Sequence, residues 1–301
     1  LSNYSNESLL ITSFILIFFL NNFISIYVSK KENKFLTNLR ADLSFNFYKN
    51  YLDMPLIYKL KKNSSEIIRN ITNEVDFLVT TIFSISIFTM EILIIFGVMF
   101  VLLKHNFTLS LIAIVLFILF GLLFNYINKS KIIKLGSRRS QYLKNRLKNI
   151  LETFSSFKEL ELAGKLDRAK LEFSLNNNQI SKINYVANFR NSLSKPVFEL
   201  FLVLVLFIMV ILLNISKSNI VEFIPTIGIF LVASYRLIPS LSRIFSALQR
   251  IQLNSQSIPN LINEKLAFKK NKIKKSEKAI DFKNQIKFEN IRFSYKKKPI
   301  N

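Results

Sequence analysis

Three regularly spaced arginines are the residues in this sequence best suited to binding chemistry. Arg236, Arg243 and Arg250 follow one another at intervals of seven residues. Seven residues turn an α-helix by roughly 700°, so each arginine is rotated by only about 20° from the previous one and all three share a helix face. A guanidinium group stays charged and can donate two parallel hydrogen bonds to phosphate oxygens. The spacing therefore predicts a site for an anionic substrate such as a pyrophosphate.

The residues before Arg236 connect this site to a membrane. Residues 220–234 are largely apolar despite Glu222 and Pro225, and Arg236 lies 16 residues after Ile220. At a rise of 1.5 Å per residue, that distance is about 24 Å, which places Arg236 near the inner surface of a bilayer, where a lipid headgroup would be captured. The alternative is that the arginines have no ligand. They would then only extend their charged groups to the membrane surface and form ordinary ion pairs in the polar part of the helix.

An acidic residue inside an apolar segment is the second candidate for the substrate site. Glu91 stands between Met90 and Ile92. A carboxylate within a bilayer is costly to bury and is therefore a functional candidate. The alternative is a structural partner for a basic residue on another helix. Glu199, three residues after Pro196, has the same two interpretations.

The composition indicates a membrane protein with basic cytoplasmic parts. Half of the 301 residues are hydrophobic, yet the formal net charge is +23, a combination that soluble domains seldom show. The positive charge does not by itself predict nucleic-acid binding. Lys is abundant together with Asn, Ile and Phe, which is the composition that A+T-rich codons would give. One histidine and no cysteine also make a metal site improbable.

Five apolar segments predict an all-α, multi-pass membrane protein. A helix needs roughly 20 residues to cross the hydrocarbon core. The predicted spans are residues 9–28, 77–103, 107–127, 197–213 and 220–234. No proline interrupts 107–151, and a helix of that length would be about 67 Å long, over twice the thickness of the core. We therefore expect a long helix here that extends into the cytoplasm. A second helix of this kind is predicted for residues 9–54.

The distribution of positive charge predicts orientation and boundaries. The connections 29–76, 129–195 and 235–301 hold 40 of the 42 Lys and Arg residues, so the positive-inside rule makes them cytoplasmic in an inner (plasma) membrane. Residues 1–258 would be the membrane domain and 259–285 a polar, lysine-rich linker. Apolar residues then alternate within 286–301, which predicts the first β-strand of a soluble domain.

This layout resembles the transmembrane domain of an ABC exporter. Residues 64–69 and 73–75, SSEIIR and NEV, are similar to the first intracellular loop of that family, and 159–164, ELELAG, to the second. Residues 286–295, IKFENIRFSY, resemble the first strand of its nucleotide-binding domain. The resemblance implies a fragment that lacks the first helix and most of that α/β domain.

The family resemblance also implies partners and a cofactor. Two copies of the subunit would form a homodimer in membrane lipid. ATP with Mg²⁺ would be bound mainly by the missing domain, and Tyr295 would stack on the adenine. Segments 56–64 and 152–158 would transmit closure of the nucleotide-binding domains to the helices. None of the five glycines belongs to a P-loop motif, so this fragment holds no catalytic residues for ATP hydrolysis.

Within the family, the helix that carries the arginines resembles the PglK-like lipid-linked oligosaccharide flippases. The similar residues are 227–230, IGIF, and 235–240, YRLIPS, followed by Arg243 and Ile244. The resemblance implies ATP-driven flipping of a polyprenyl-pyrophosphate-linked oligosaccharide. Three alternatives remain: an ABC exporter of lipid A, a peptide or a drug; a membrane sensor protein; or an ATP-independent flippase with more spans.

Overall fold

The computed structural model describes residues 2–215, 220–271, 285, 287 and 289–291, and every regular element within them is helical. The helices are α1 Ser2–Leu52, α2 Leu56–Lys61, α3 Ser64–Arg69, α4 Val75–His105, α5 Phe107–Ser155, α6 Phe157–Leu162, α7 Leu166–Ser192, α8 Ser194–Ile215, α9 Ile220–Leu253 and α10 Ser257–Asn271. A π-helical turn, Asn70–Glu74, joins α3 to α4. The expected helical architecture is confirmed for these residues. The expected strand at 286–301 falls mostly outside them.

Among the described residues, four helical stretches are long and apolar enough to cross a membrane. They are Ser64–His105, Phe107–Ser155, Leu166–Ile208 and Gly228–Leu253. Each overlaps one of the last four predicted spans. The first predicted span, 9–28, lies within α1 and is not among the four.

The uninterrupted helix predicted from the absence of proline is present as α5. It contains 49 residues, and at 1.5 Å per residue it is about 74 Å long. Its start is fixed by Asn106, whose side chain accepts a hydrogen bond from the Leu109 backbone N–H at 3.1 Å. The buried Ser110 hydroxyl donates to the Leu102 carbonyl at 2.7 Å. These two contacts satisfy backbone groups at the tight turn between α4 and α5.

The membrane-spanning helices α4, α5, α8 and α9 share an apolar core. Its buried members are Leu102, Leu109, Ala113, Phe117, Leu202, Val205, Phe230 and Leu237. An aromatic cluster around the fully buried Phe198 continues it. Phe120 stacks on Phe201 with ring centroids 3.9 Å apart, and Phe124 meets Phe245 edge to face at 5.2 Å. Flat rings at α5, α8 and α9 therefore fill the contact between these helices.

A glycine permits a close approach of α5 to α9. A Cβ atom at Gly136 would lie 2.2 Å from the carbonyl oxygen of Leu253. No side chain fits at that separation, so the two backbones are in direct contact only because position 136 lacks one.

The expected polar linker begins as helix α10, which packs against α1 and α4. Residues 261, 264 and 268 lie at spacings of three and four and so share a face of this helix. That face is buried in a second core, whose buried members are Phe47, Tyr51, Met54, Val75, Val79, Leu261 and Phe268. The start of the predicted linker is thus a docked element of the helical domain.

Candidate functional site

The three predicted site arginines all lie on α9, but their surroundings differ. The helix is continuous through Pro225 and Pro239, so the seven-residue spacing does place the arginines along one side. Arg236 is exposed and Arg250 is half-buried. The Nε of Arg250 is buried without a hydrogen-bond partner in the structure. Arg250 is therefore less accessible to a ligand on this side of α9 than Arg236 is.

Arg243 and Glu91 form an ion pair that links α9 to α4. Arg243 Nη2 lies 3.2 Å from Glu91 Oε2, and Arg243 Nε donates to Glu91 Oε1. The Glu91 side chain is 9% exposed and that of Arg243 is 46% exposed. The carboxylate is thus neutralised inside the helix packing, while one side of the guanidinium remains open. The structure brings together two residues that the sequence nominated separately.

An apolar groove opens beside Arg236, between α4 and α9. Its volume is about 460 Å³, which is within the range of small-molecule sites. Among the described residues, Arg236 is the one charged member of its lining, whose other members are Val98, Val101, Leu102, Pro225, Gly228, Ile229, Val232 and Ala233. A hydrocarbon surface with one exposed cation suits an amphipathic anion, because the tail and the charged group each find a matching environment.

Amide and arginine side chains that the sequence interpretation missed connect α5, α7 and α9. Gln252 donates to Asn125 at 2.8 Å, and Arg190 donates to Asn128 at 2.8 Å. Gln249 donates to the Ala187 carbonyl at 3.1 Å. The detectable signal was the spacing of three residues within the Asn125/Asn128 and Gln249/Gln252 pairs, which places each pair on one helix face. The three hydrogen bonds form a polar connection between α5, α7 and α9.

A buried charged cluster near the π-helical turn was also missed as a site. Glu74 is fully buried, lies 3.3 Å from Arg69 Nε, and accepts from the Ser140 hydroxyl at 3.2 Å. Beside it, Arg139 donates to Asn254 at 2.6 Å and its guanidinium lies over the ring of Phe77 at 4.3 Å. The turn between α3 and α4 is thus tied to α5 and to the end of α9.

The remaining nominated residues lie apart from this region or outside the described chain. Glu199 pairs with Lys195 at 3.8 Å within α8, and both side chains are partly exposed. Tyr295 lies outside the described residues.

The glycines offer no phosphate cradle for a nucleotide. Gly97, Gly121, Gly136 and Gly228 lie within helices, and Gly164 adopts a positive φ of 62° in the turn after α6. None belongs to a P-loop motif. These glycines therefore do not form a phosphate site of the P-loop kind.

Comparison with known proteins decides the family. The ABC transporter transmembrane region matches residues 4–237 of the 301. The chain belongs to the ABC transporter transmembrane family. This ABC transmembrane domain is similar in structure to a bacterial Atm1-family ABC exporter with ATP bound, with a TM-score of 0.60 and 12% sequence identity. The similarity covers 79% of this chain and 41% of the exporter chain, so the likeness shows a shared fold over less than half of that protein.

Proposed function

We propose that this domain belongs to an ATP-driven homodimeric transporter that moves an amphipathic anion across the inner membrane. The preferred cargo is a polyprenyl-pyrophosphate-linked oligosaccharide, as in the PglK-like flippases. The observation that carries the proposal is the exposed Arg236 in the lining of the apolar groove between α4 and α9. The groove would accept part of the polyprenyl chain, and Arg236 would bind the pyrophosphate.

Arg243 would provide a second contact for the same headgroup. It lies two turns from Arg236 on α9, which is about 10.5 Å along the axis. Its guanidinium is partly open despite the ion pair with Glu91. A guanidinium can bind two anions because its donors point in different directions. Glu91 would then hold Arg243 in place between transport events, and Arg250 would contribute less because it is half-buried.

The exposed apolar surface of α1 supports a dimer. Phe18, Phe19 and Leu20 are each more than half exposed. Because consecutive residues of a helix point about 100° apart, no single face of α1 is covered at this level by the described chain. A second copy of the subunit would cover part of this surface, with lipid on the remainder.

ATP with Mg²⁺ would bind mainly to a nucleotide-binding domain that follows the helical domain. The segment 286–301 would begin that domain, and Tyr295 would stack on the adenine. Helices α2 and α6 lie at the turns after α1 and α5. They would transmit nucleotide-dependent movement to the spans.

Flipping by the complete transporter in proteoliposomes tests the cargo. The probe is a fluorescent polyprenyl-pyrophosphate oligosaccharide, and ATP hydrolysis is measured in parallel. We expect Arg236→Ala to slow flipping about tenfold or more, since a charge-assisted contact is lost, while basal ATP hydrolysis is retained. Arg138→Ala, at an exposed arginine on α5, is the matched control. Undiminished flipping by Arg236→Ala would refute the assigned role.

The same variants separate the preferred cargo from other amphipathic cargoes. The apolar groove and the Arg236 guanidinium would also suit lipid A, an acidic peptide or an anionic drug. Stimulation of ATP hydrolysis by one of these, and not by the lipid-linked oligosaccharide, would favour an exporter of that other class. ATP-dependent transport of any of these probes would exclude the membrane-sensor interpretation.

A further inference from the structure

One buried carboxylate fastens α10 to the segment between α1 and α3. Glu264 is 8% exposed. Its Oε2 accepts hydrogen bonds from the Tyr51 hydroxyl at 2.9 Å and the Tyr58 hydroxyl at 3.2 Å. Its Oε1 pairs with the ammonium group of Lys62. Tyr51 lies at the end of α1, Tyr58 lies in α2, and Lys62 follows α2 directly. The single side chain of Glu264 therefore joins α10 to all three segments.

The donors of this cluster keep their protons under ordinary conditions. Burial, together with the charge of Glu264, raises the pKa of the Tyr58 hydroxyl to about 12. Burial also raises the pKa of Tyr51 well above its usual value. Both hydroxyls therefore remain donors to the carboxylate at neutral pH. A carboxylate with three donors is adequately solvated by the protein, which explains how it is tolerated in a buried position.

Further contacts extend the cluster to the π-helical turn. The Asn70 side chain donates to the Tyr51 hydroxyl at 2.9 Å. Phe268, one turn after Glu264, meets the ring of Tyr51 edge to face with centroids 4.7 Å apart, and the ring of Phe47 at 5.7 Å. The polar and aromatic contacts thus lie side by side, and both hold the same face of α10.

We propose that Glu264 is a positioning residue that makes α10, α2 and the end of α1 move as one unit. A displacement of the chain beyond Asn271 would then reach α2 through a charged, hydrogen-bonded contact as well as through the turns of the helical domain. Lys62 is the partner that makes this contact specific, because it is the one cation that pairs with Glu264 among the described residues. This role is independent of the cargo and goes beyond the proposed transport of an anionic lipid.

Hydrogen exchange of the complete transporter, measured by mass spectrometry, tests the proposal. Exchange is followed at residues 257–271 and 42–61, without nucleotide and with Mg²⁺, ATP and vanadate. In the unmodified protein, we expect nucleotide to change exchange in both segments. Glu264→Gln should accelerate exchange of 257–271 about tenfold through loss of the charged contact. It should also abolish most of the nucleotide-dependent change at 42–61.

Two further variants separate positioning from a local structural effect. Glu66→Gln removes the other carboxylate near Lys62, which lies at 3.5 Å, and should leave both segments as in the unmodified protein. The exchanged pair Lys62→Glu/Glu264→Lys restores opposite charges and should recover the nucleotide response at 42–61. The proposal is overturned if Glu264→Gln leaves that response intact, even with faster exchange of α10, or if nucleotide changes neither segment in the unmodified protein. Loss of flipping by Arg236→Ala is measured separately, so the two proposals can fail independently.

Discussion

The guanidinium of Arg243 on α9 and the carboxylate of Glu91 on α4 make two contacts with each other across a helix interface. Their separation in sequence is 152 residues. The carboxylate is nearly enclosed, whereas the guanidinium is partly open. This asymmetry means that Glu91 depends on Arg243 for its counter-charge, while Arg243 can still interact with something else.

Removal of Arg243 should destabilise the protein through the charge that it leaves behind. We expect Arg243→Ala to lower the free energy of unfolding in detergent micelles by about 3 kcal/mol, because Glu91 would remain buried without a partner. The double variant Glu91→Leu/Arg243→Met should recover most of that loss. Arg40→Ala breaks the exposed pair with Asp76 and should cost about 0.5 kcal/mol. Equal losses for Arg40→Ala and Arg243→Ala would contradict this account.

Introduction of a methyl group at Gly136 should separate α5 from α9. A Cβ there would overlap the Leu253 carbonyl, so Gly136→Ala should destabilise the protein by about 2 kcal/mol or more. Gly97→Ala is the matched control, because a Cβ at Gly97 meets nothing within 4 Å. Thermal unfolding in micelles measures both variants. A Gly136→Ala protein as stable as Gly97→Ala would show that the two helices are not in direct backbone contact.

The core around Phe198 should be more sensitive to truncation than the outer face of the same helix. Phe198 is fully buried, whereas Phe207 is exposed on α8. Phe198→Ala should cost about 4 kcal/mol, since it leaves a cavity among aromatic rings. Phe207→Ala should cost about 0.5 kcal/mol. Chemical denaturation in mixed micelles compares them, and a larger loss for Phe207→Ala would place α8 in the opposite orientation.

Alkaline pH should weaken the Glu264 cluster through its tyrosines. The pKa of Tyr58 is raised from 10.0 to about 12, so the folded state favours the protonated hydroxyl. The stabilising contribution of the Tyr58 hydroxyl is therefore complete below pH 10, and it is lost as the pH rises through the pKa of about 12 in the folded state. Tyr58→Phe should show a shallower loss of stability in this range. Tyrosinate absorbance provides an independent check: the variant should lack one late-titrating group, and an unchanged titration would contradict the raised pKa.

Local sequence information was sufficient to predict the long helices. The absence of proline between Phe107 and Ser155 leaves the backbone hydrogen bonding of α5 uninterrupted, which is a property of neighbouring residues. The short helices α2 and α6 overlap the segments 56–64 and 152–158 that the family resemblance nominated, because the long helices α1 and α5 end just before them.

Contacts between distant residues could not be predicted in the same way. Glu264 lies 213 residues from Tyr51 and stands in a lysine-rich stretch that suggests a solvated linker. The helical spacing places Glu264 on the same face as Leu261 and Phe268, but it does not identify the residues that cover that face. The groove beside Arg236 likewise depends on how α4 packs on α9. The sequence nominated Glu91 and Arg243 from their local context, but their pairing follows from helix packing.

The length of α5 has a mechanical meaning. The part beyond the predicted span, residues 128–155, is an arm of about 42 Å. If this arm is rigid, a tilt of about 10° at its membrane end displaces its tip by roughly 7 Å, because displacement grows with distance from the pivot. Conversely, a large displacement of the tip beside α6 tilts the membrane-spanning part of α5 by only a small angle. The contact at Gly136 lies close to the pivot, where tight packing hinders such rotation least.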